Sequence, residues 1–70
     1  MNQKLIVAYE GKDYEASYSY ESGFVEVDVS WGDHFHQRKK TTVGGGQPLS
    51  IARMMALEIL RSAKERGELS

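Results

Sequence analysis

The chain has no cysteine, a single proline and no long apolar run, and each absence removes a class of protein. Without cysteine, neither a disulfide framework nor a thiolate zinc site can support a small core. No stretch approaches the ~20 apolar residues needed to cross a bilayer as a helix. Met1-Asn2-Gln3-Lys4 leads into an apolar run too short for a signal segment. A strong charge of one sign is also missing. Nine basic and ten acidic side chains leave a net charge of −1. Any attraction to nucleic acid or to a membrane surface must therefore come from a local patch. A cytoplasmic location without membrane contact is the expectation.

What is present is an ordinary globular composition, 40% hydrophobic and 27% charged, in 70 residues. That length reads as one complete small domain, residues 1–70. A chain this short buries only about 60% of the surface its unfolded form exposes, so its core is thin. Tight packing or self-association is the remaining source of stability. A homodimer is thus expected before any residue is considered.

The hydrophobic pattern has two periods. Lys4 to Tyr9 is a short run of strand formers, followed by turn chemistry in Glu10-Gly11-Lys12-Asp13. From residue 14 to 20, Tyr14, Ala16, Tyr18 and Tyr20 alternate with Glu15, Ser17 and Ser19, the period of a half-buried strand. Glu21-Ser22-Gly23 supplies a tight turn. Val25, Val27, Val29 and Trp31 then alternate with Glu26, Asp28 and Ser30. A three-residue loop at Gly32-Asp33-His34 would return the chain as a fourth strand. It would set Phe35 opposite Trp31 on the core face, and Arg38 and Lys40 opposite Asp28 and Glu26 on the outer face. A two-residue loop would instead put Phe35 among the carboxylates. In the favoured register Gln37 and Lys39 face inward, so the fourth strand is expected to run past the core or fray.

Residues 43–47, Val43-Gly44-Gly45-Gly46-Gln47, form a flexible connector. Pro48 suits a first helical position, where its missing N–H costs nothing. From 48 to about 66 the period changes to 3.6. Ala52, Met55, Ala56, Ile59, Leu60 and Ala63 form one stripe, and Gly67 closes the segment. The expected fold is α+β: an antiparallel β-meander of three or four strands over residues 4–42 (β-β-β-(β)-α), with one C-terminal helix packed across one face.

Chemistry-bearing residues gather only in "GDHFHQRKK", residues 32–40. His34 and His36 on one strand would share a face, with Asp28 the nearest third ligand. Arg38 and Lys40 on that same face repel a cation, so no metal site is expected. His34, His36, Arg38, Lys39 and Lys40, with Thr41 and Thr42, offer donors for phosphates, and Trp31 and Phe35 could stack on bases. Against this, Glu15, Glu21, Glu26 and Asp28 line the same face, and lysines commonly protect a sheet edge. The triple glycine lacks the lysine–serine or lysine–threonine pair of a phosphate loop. Opposite the helix stripe, Met54, Leu57 and Arg61, with Ile51 at the border, form a ridge able to meet its copy across a two-fold axis. Tyr14, Tyr18 and Tyr20 share a face of the second strand and are expected mostly in the core or at its rim, with the hydroxyl reaching water. No nucleophile with an adjacent base and no enclosed carboxylate pair is legible, so neither an enzyme nor a cofactor or small-molecule substrate is expected.

Three strands, the glycine-rich connector and "SIARMMALEIL", over residues 14–63, resemble the tail of a double-stranded-RNA-binding domain. That family's first helix has no counterpart here. Its lysine-rich helix start is replaced by Pro48-Leu49-Ser50-Ile51 with only Arg53 nearby, which leaves the phosphate clamp without residues. The resemblance therefore implies a shared layout and no membership. The leading expectation is a non-enzymatic interaction protein that self-associates through the helix ridge and contacts another macromolecule. The alternative is a nucleic-acid binder using the arm from His34 to Lys40.

Overall fold

Period-two alternation becomes four strands: β1 Gln3–Tyr9, β2 Lys12–Glu21, β3 Phe24–Ser30 and β4 His36–Thr42. They pair antiparallel in chain order, β1-β2-β3-β4. A single helix, α1, follows at Pro48–Glu65. The computed structural model of the chain describes residues 2–32 and 35–69. The fourth strand is present in the expected register, with Asp28 opposite Arg38 and Glu26 opposite Lys40.

Two hairpin turns lock the first three strands. Tyr9 pairs with Lys12 around Glu10-Gly11, and Glu21 pairs with Phe24 around Ser22-Gly23. In both turns the two central residues have positive φ, 53° and 78° in the first and 53° and 79° in the second. This is the primed geometry whose twist matches that of the flanking strands. Glycine adopts it freely, whereas Glu10 and Ser22 are held there against their side-chain sterics.

One face of the sheet meets the helix. Leu5, Val7, Tyr14, Ala16, Val25, Val27 and Val29 are buried against Ala52, Met55, Ala56, Ile59 and Leu60. The helix stripe is the one the 3.6 period picks out, Ala63 included. Alanines at 52, 56 and 63 let the helix approach the sheet closely, while Ile59 and Leu60, both fully buried, fill the space between. Burying a side chain of that size contributes roughly 1.5–3 kcal/mol. The backbone N–H of Glu68 donates to the Ala63 carbonyl and that of Gly67 to Lys64, each at 2.9 Å, with Gly67 at φ 79°. These paired bonds satisfy the last helical carbonyls and turn the chain so that Leu69 packs back on the core.

Two inner-face details depart from the pattern. Phe35 stacks on Trp31 with ring centroids 6.5 Å apart, yet it is 46% exposed and lies at the rim, not in the core. At its C-terminal end the helix is tied to Gln37, two residues further along the chain, and to the β1–β2 turn. The Trp31 indole N–H is buried without a hydrogen-bond partner among the described residues.

An ion pair and a hydrogen bond fasten the helix end to the sheet. Lys64 Nζ binds the Glu10 carboxylate in the β1–β2 turn. That hydrogen bond holds the lysine pKa above its usual value. Arg66 donates to Gln37 Oε1 at 3.2 Å and to Glu68 Oε2 at 3.0 Å. Its hydrogen bond and charge pull the Glu68 carboxyl below the usual glutamate range.

Two outcomes are expected. Ser22→Asn, which tolerates positive φ better, raises stability by about 0.5–1 kcal/mol in urea unfolding. The lowered Glu68 pKa means its contact stabilises the fold above the unfolded pKa and is lost as pH falls through the folded one. NMR titration of the Glu68 side chain should therefore give a midpoint below that of a free glutamate, and Arg66→Gln should move it upward.

Candidate functional site

The register assigns every polar side chain of the sheet to a face and every free backbone group to an edge. The N–H of Trp31 donates to the Phe35 carbonyl at 3.0 Å, and that of Val43 to Gly23 at 2.9 Å. Antiparallel ladders alternate, so the odd residues of β4 bond β3. The N–H and C=O groups of His36, Arg38, Lys40 and Thr42 then point away from the sheet. None of these four takes part in a further backbone hydrogen bond among the described residues. β4 is an open edge.

Beside that edge lies a cleft between β4 and α1, about 400 Å³ in volume. Thr41 lies on its strand side, and Ile51, Met54 and Met55 line the helix side. Lys39 and Glu58 also line it, with Nζ and Oε2 3.9 Å apart. The triple glycine brings the chain from β4 to the helix at the opposite end. A Cβ built on Gly46 would lie 3.0 Å from Ile51 Cδ1, so glycine there lets the connector pass close to the cleft wall.

The sequence-derived residues divide between this place and others. His34 lies outside the described residues. His36 opens β4 on the outer face, with Nδ1 4.0 Å from Asp28 Oδ1. Arg38 Nη2 sits 3.3 Å from Asp28 Oδ2. Lys40 lies opposite Glu26, with its Nζ 5.0 Å from the centre of the Phe24 ring. Lys39 turns inward to Glu58. The basic run is thus spread over both faces of one strand, and all three cations have a partner. These contacts are exposed and contribute roughly 0.2–1 kcal/mol each. No group of three or more His, Cys, Asp and Glu side chains is placed to hold a metal ion among the described residues.

The helix ridge does not stay together. Met54 is 61% exposed and Arg61 is exposed, but Leu57 and Ile51 are half-buried against the core. Leu57 shares a helical stripe with Lys64, seven residues on, and Lys64 is tied to the β1–β2 turn. It therefore leans toward β1, whereas Ile51 and Met54 flank β4. The sequence reading missed the cleft itself. Its elements, an inward-facing Thr41 and helix positions 51, 54 and 55, come together only once the strand and helix are placed.

No polar or charged side chain is buried among the described residues, and none of their helices is long and apolar enough to cross a membrane. The different settings of the two ridge residues are measurable. Met54→Glu should change unfolding free energy by no more than about 0.5 kcal/mol, whereas Leu57→Glu should cost about 1–3 kcal/mol by stripping an apolar contact from the core. No protein family, curated protein or solved structure was found to match the chain.

Proposed function

We propose that the chain is an interaction module that takes up an extended segment of another protein along β4. The added strand would hydrogen-bond to His36, Arg38, Lys40 and Thr42 and place alternate side chains in the cleft beside Ile51, Met54 and Met55. The observation that carries this reading is an unpaired strand edge beside a cleft of about 400 Å³ whose helix side is lined by Ile51, Met54 and Met55. Main-chain bonds supply affinity in such strand addition, and pockets for every second side chain supply selectivity.

The charge pattern indicates which segment fits. An incoming strand meets His36, Arg38 and Lys40 as direct neighbours. Asp28 and Glu26 lie one strand deeper, roughly 4.8 Å further off. Acidic side chains on the outer positions and aliphatic ones on the inner positions complement this edge. A binding role also suits a surface on which no charged side chain is buried among the described residues.

The nucleic-acid reading uses less of the site. Phosphates would compete with Asp28 for Arg38 and with Glu58 for Lys39, and they have no use for the strand's N–H and C=O ladder or for the methionines. The acidic column behind the cations opposes a polyanion laid across the outer face.

The test is an NMR titration of ¹⁵N-labelled protein with a blocked eight-residue peptide alternating glutamate and valine. The expected result is sub-millimolar binding that shifts the amides of His36, Arg38, Lys40 and Thr42 and the Met54 methyl group. Arg38→Glu and Met54→Glu should each weaken it about tenfold. An alternating lysine–valine peptide should bind less tightly. If the β4 amides stay still up to millimolar peptide, or move instead with an oligonucleotide whose affinity falls steeply with salt, the proposal is wrong.

A further inference from the structure

The opposite edge of the sheet poses a separate question. The register that turns the even residues of β4 outward does the same at β1, where Lys4, Ile6 and Ala8 carry the outward N–H and C=O groups. None of these enters a backbone hydrogen bond outside the ladder among the described residues. The two edges are protected very differently. β4 carries His36, Arg38, Lys39 and Lys40, whereas β1 reads Gln-Lys-Leu-Ile-Val-Ala-Tyr and has Lys4 alone. Ile6 on its outer face is 54% exposed, beside a depression of about 190 Å³ lined by Lys4, Glu15 and Ser17 among others. Native proteins blunt an open edge with charge, proline or a bulge, or they cover it. β1 contains no proline, and Leu5 and Val7 anchor its inner face firmly in the core.

We infer that β1 pairs with β1 of a second copy of this chain, antiparallel and centred on Ile6, to give a dimer with one continuous eight-stranded sheet. Three features of the strand select this occupant. The register centred on Ile6 is the one in which all seven residues of β1 are paired, Gln3 with Tyr9 and Leu5 with Val7 of the copy. In that register the two copies of Lys4 are kept apart. Each lies opposite Ala8 of the copy, with Asp13 of the copy one strand beyond, within reach of a lysine's four-carbon stem. Finally, the other pairings are poor. β4 on β4 sets arginine and lysine side chains against their own kind. β1 on β4 is head-to-tail and does not close, so it would propagate. The two-fold pairing at β1 closes, covers Ile6 and leaves both β4 edges at the outer ends of the sheet.

Sedimentation velocity near 100 µM tests the dimer, with an expected mass of twice the 7.9 kDa of one chain. Ile6→Lys places two lysines face to face across the proposed axis, while within one chain it stands opposite Glu15 and the monomer fold is kept. It should return the mass to that of one chain with an unchanged circular dichroism spectrum. The absence of cysteine gives a second readout that needs no loss of stability. Under mild oxidation Ile6→Cys should cross-link to a symmetric dimer, since directly opposed strand residues lie within disulfide reach, whereas Thr42→Cys on β4 should not. A single-chain mass at millimolar concentration, a dimer untouched by Ile6→Lys, or equal cross-linking of the two cysteine variants would overturn the inference.

Discussion

The structure depends on a mismatch of widths. Four strands spaced about 4.8 Å apart make a sheet wider than one helix of about 10 Å diameter can shelter. The described residues form only that one helix, and it centres its contacts on β3, where Val25, Val27 and Val29 are fully buried. The consequences run outward from there. β1 and β2 keep Leu5, Val7, Tyr14 and Ala16 under the helix. β4 lies at its margin and carries Gln37, Lys39 and Thr41 where a central strand would carry valines. Those polar residues reach up to the helix's own polar flank, Lys39 to Glu58 and Gln37 to Arg66. Where they give way to Thr41, the gap between strand and helix becomes the cleft.

Charge follows the same geometry. The outer face has no covering layer, so its side chains need only satisfy one another across the ladder. Acids occupy the two central strands at Glu15, Glu26 and Asp28, and bases occupy the margins at Lys4, Arg38 and Lys40. The same arrangement explains a near-neutral chain with a locally basic segment. Arg38-Lys39-Lys40 is the margin of a balanced face, and its side chains alternate between that face and the helix.

Most of the fold was legible because its determinants are local. A run of strand formers gave β1, alternation gave β2 and β3, and the 3.6 period gave the helix stripe to the residue. Gly67 marked the helix end, through a conformation that only a residue free of a Cβ adopts at little cost. The fourth strand was legible through charge, since a single loop length put Arg38 and Lys40 opposite Asp28 and Glu26. What escaped depends on the extent of the elements. Phe35 has the right parity for the core and lies on the core face, but nothing in its spacing says that it stays at the rim. Leu57 sits opposite the stripe by angle, yet a narrow helix on a wide sheet exposes part of its flank to β1. The cleft was unreadable for a similar reason, because it is the space left between two elements whose separation is set by the buried Ala52, Ala56 and Ala63 and not by the residues that line it.

The two sheet edges show how a thin domain divides its surface. Edge protection and edge use draw on the same groups, for a strand that must not pair with its own kind has to be marked by something a partner can then read. On β4 the marks are His36, Arg38 and Lys40, and they repel a second β4 while leaving the backbone open to a segment of opposite charge. On β1 the marks are nearly absent, and what remains, one lysine spaced four residues from a small Ala8, is compatible with the strand's own copy. A domain with one helix cannot cover both edges with secondary structure. It can distinguish them by charge, and in the readings proposed above one edge is selective toward another protein while the other is complementary to itself.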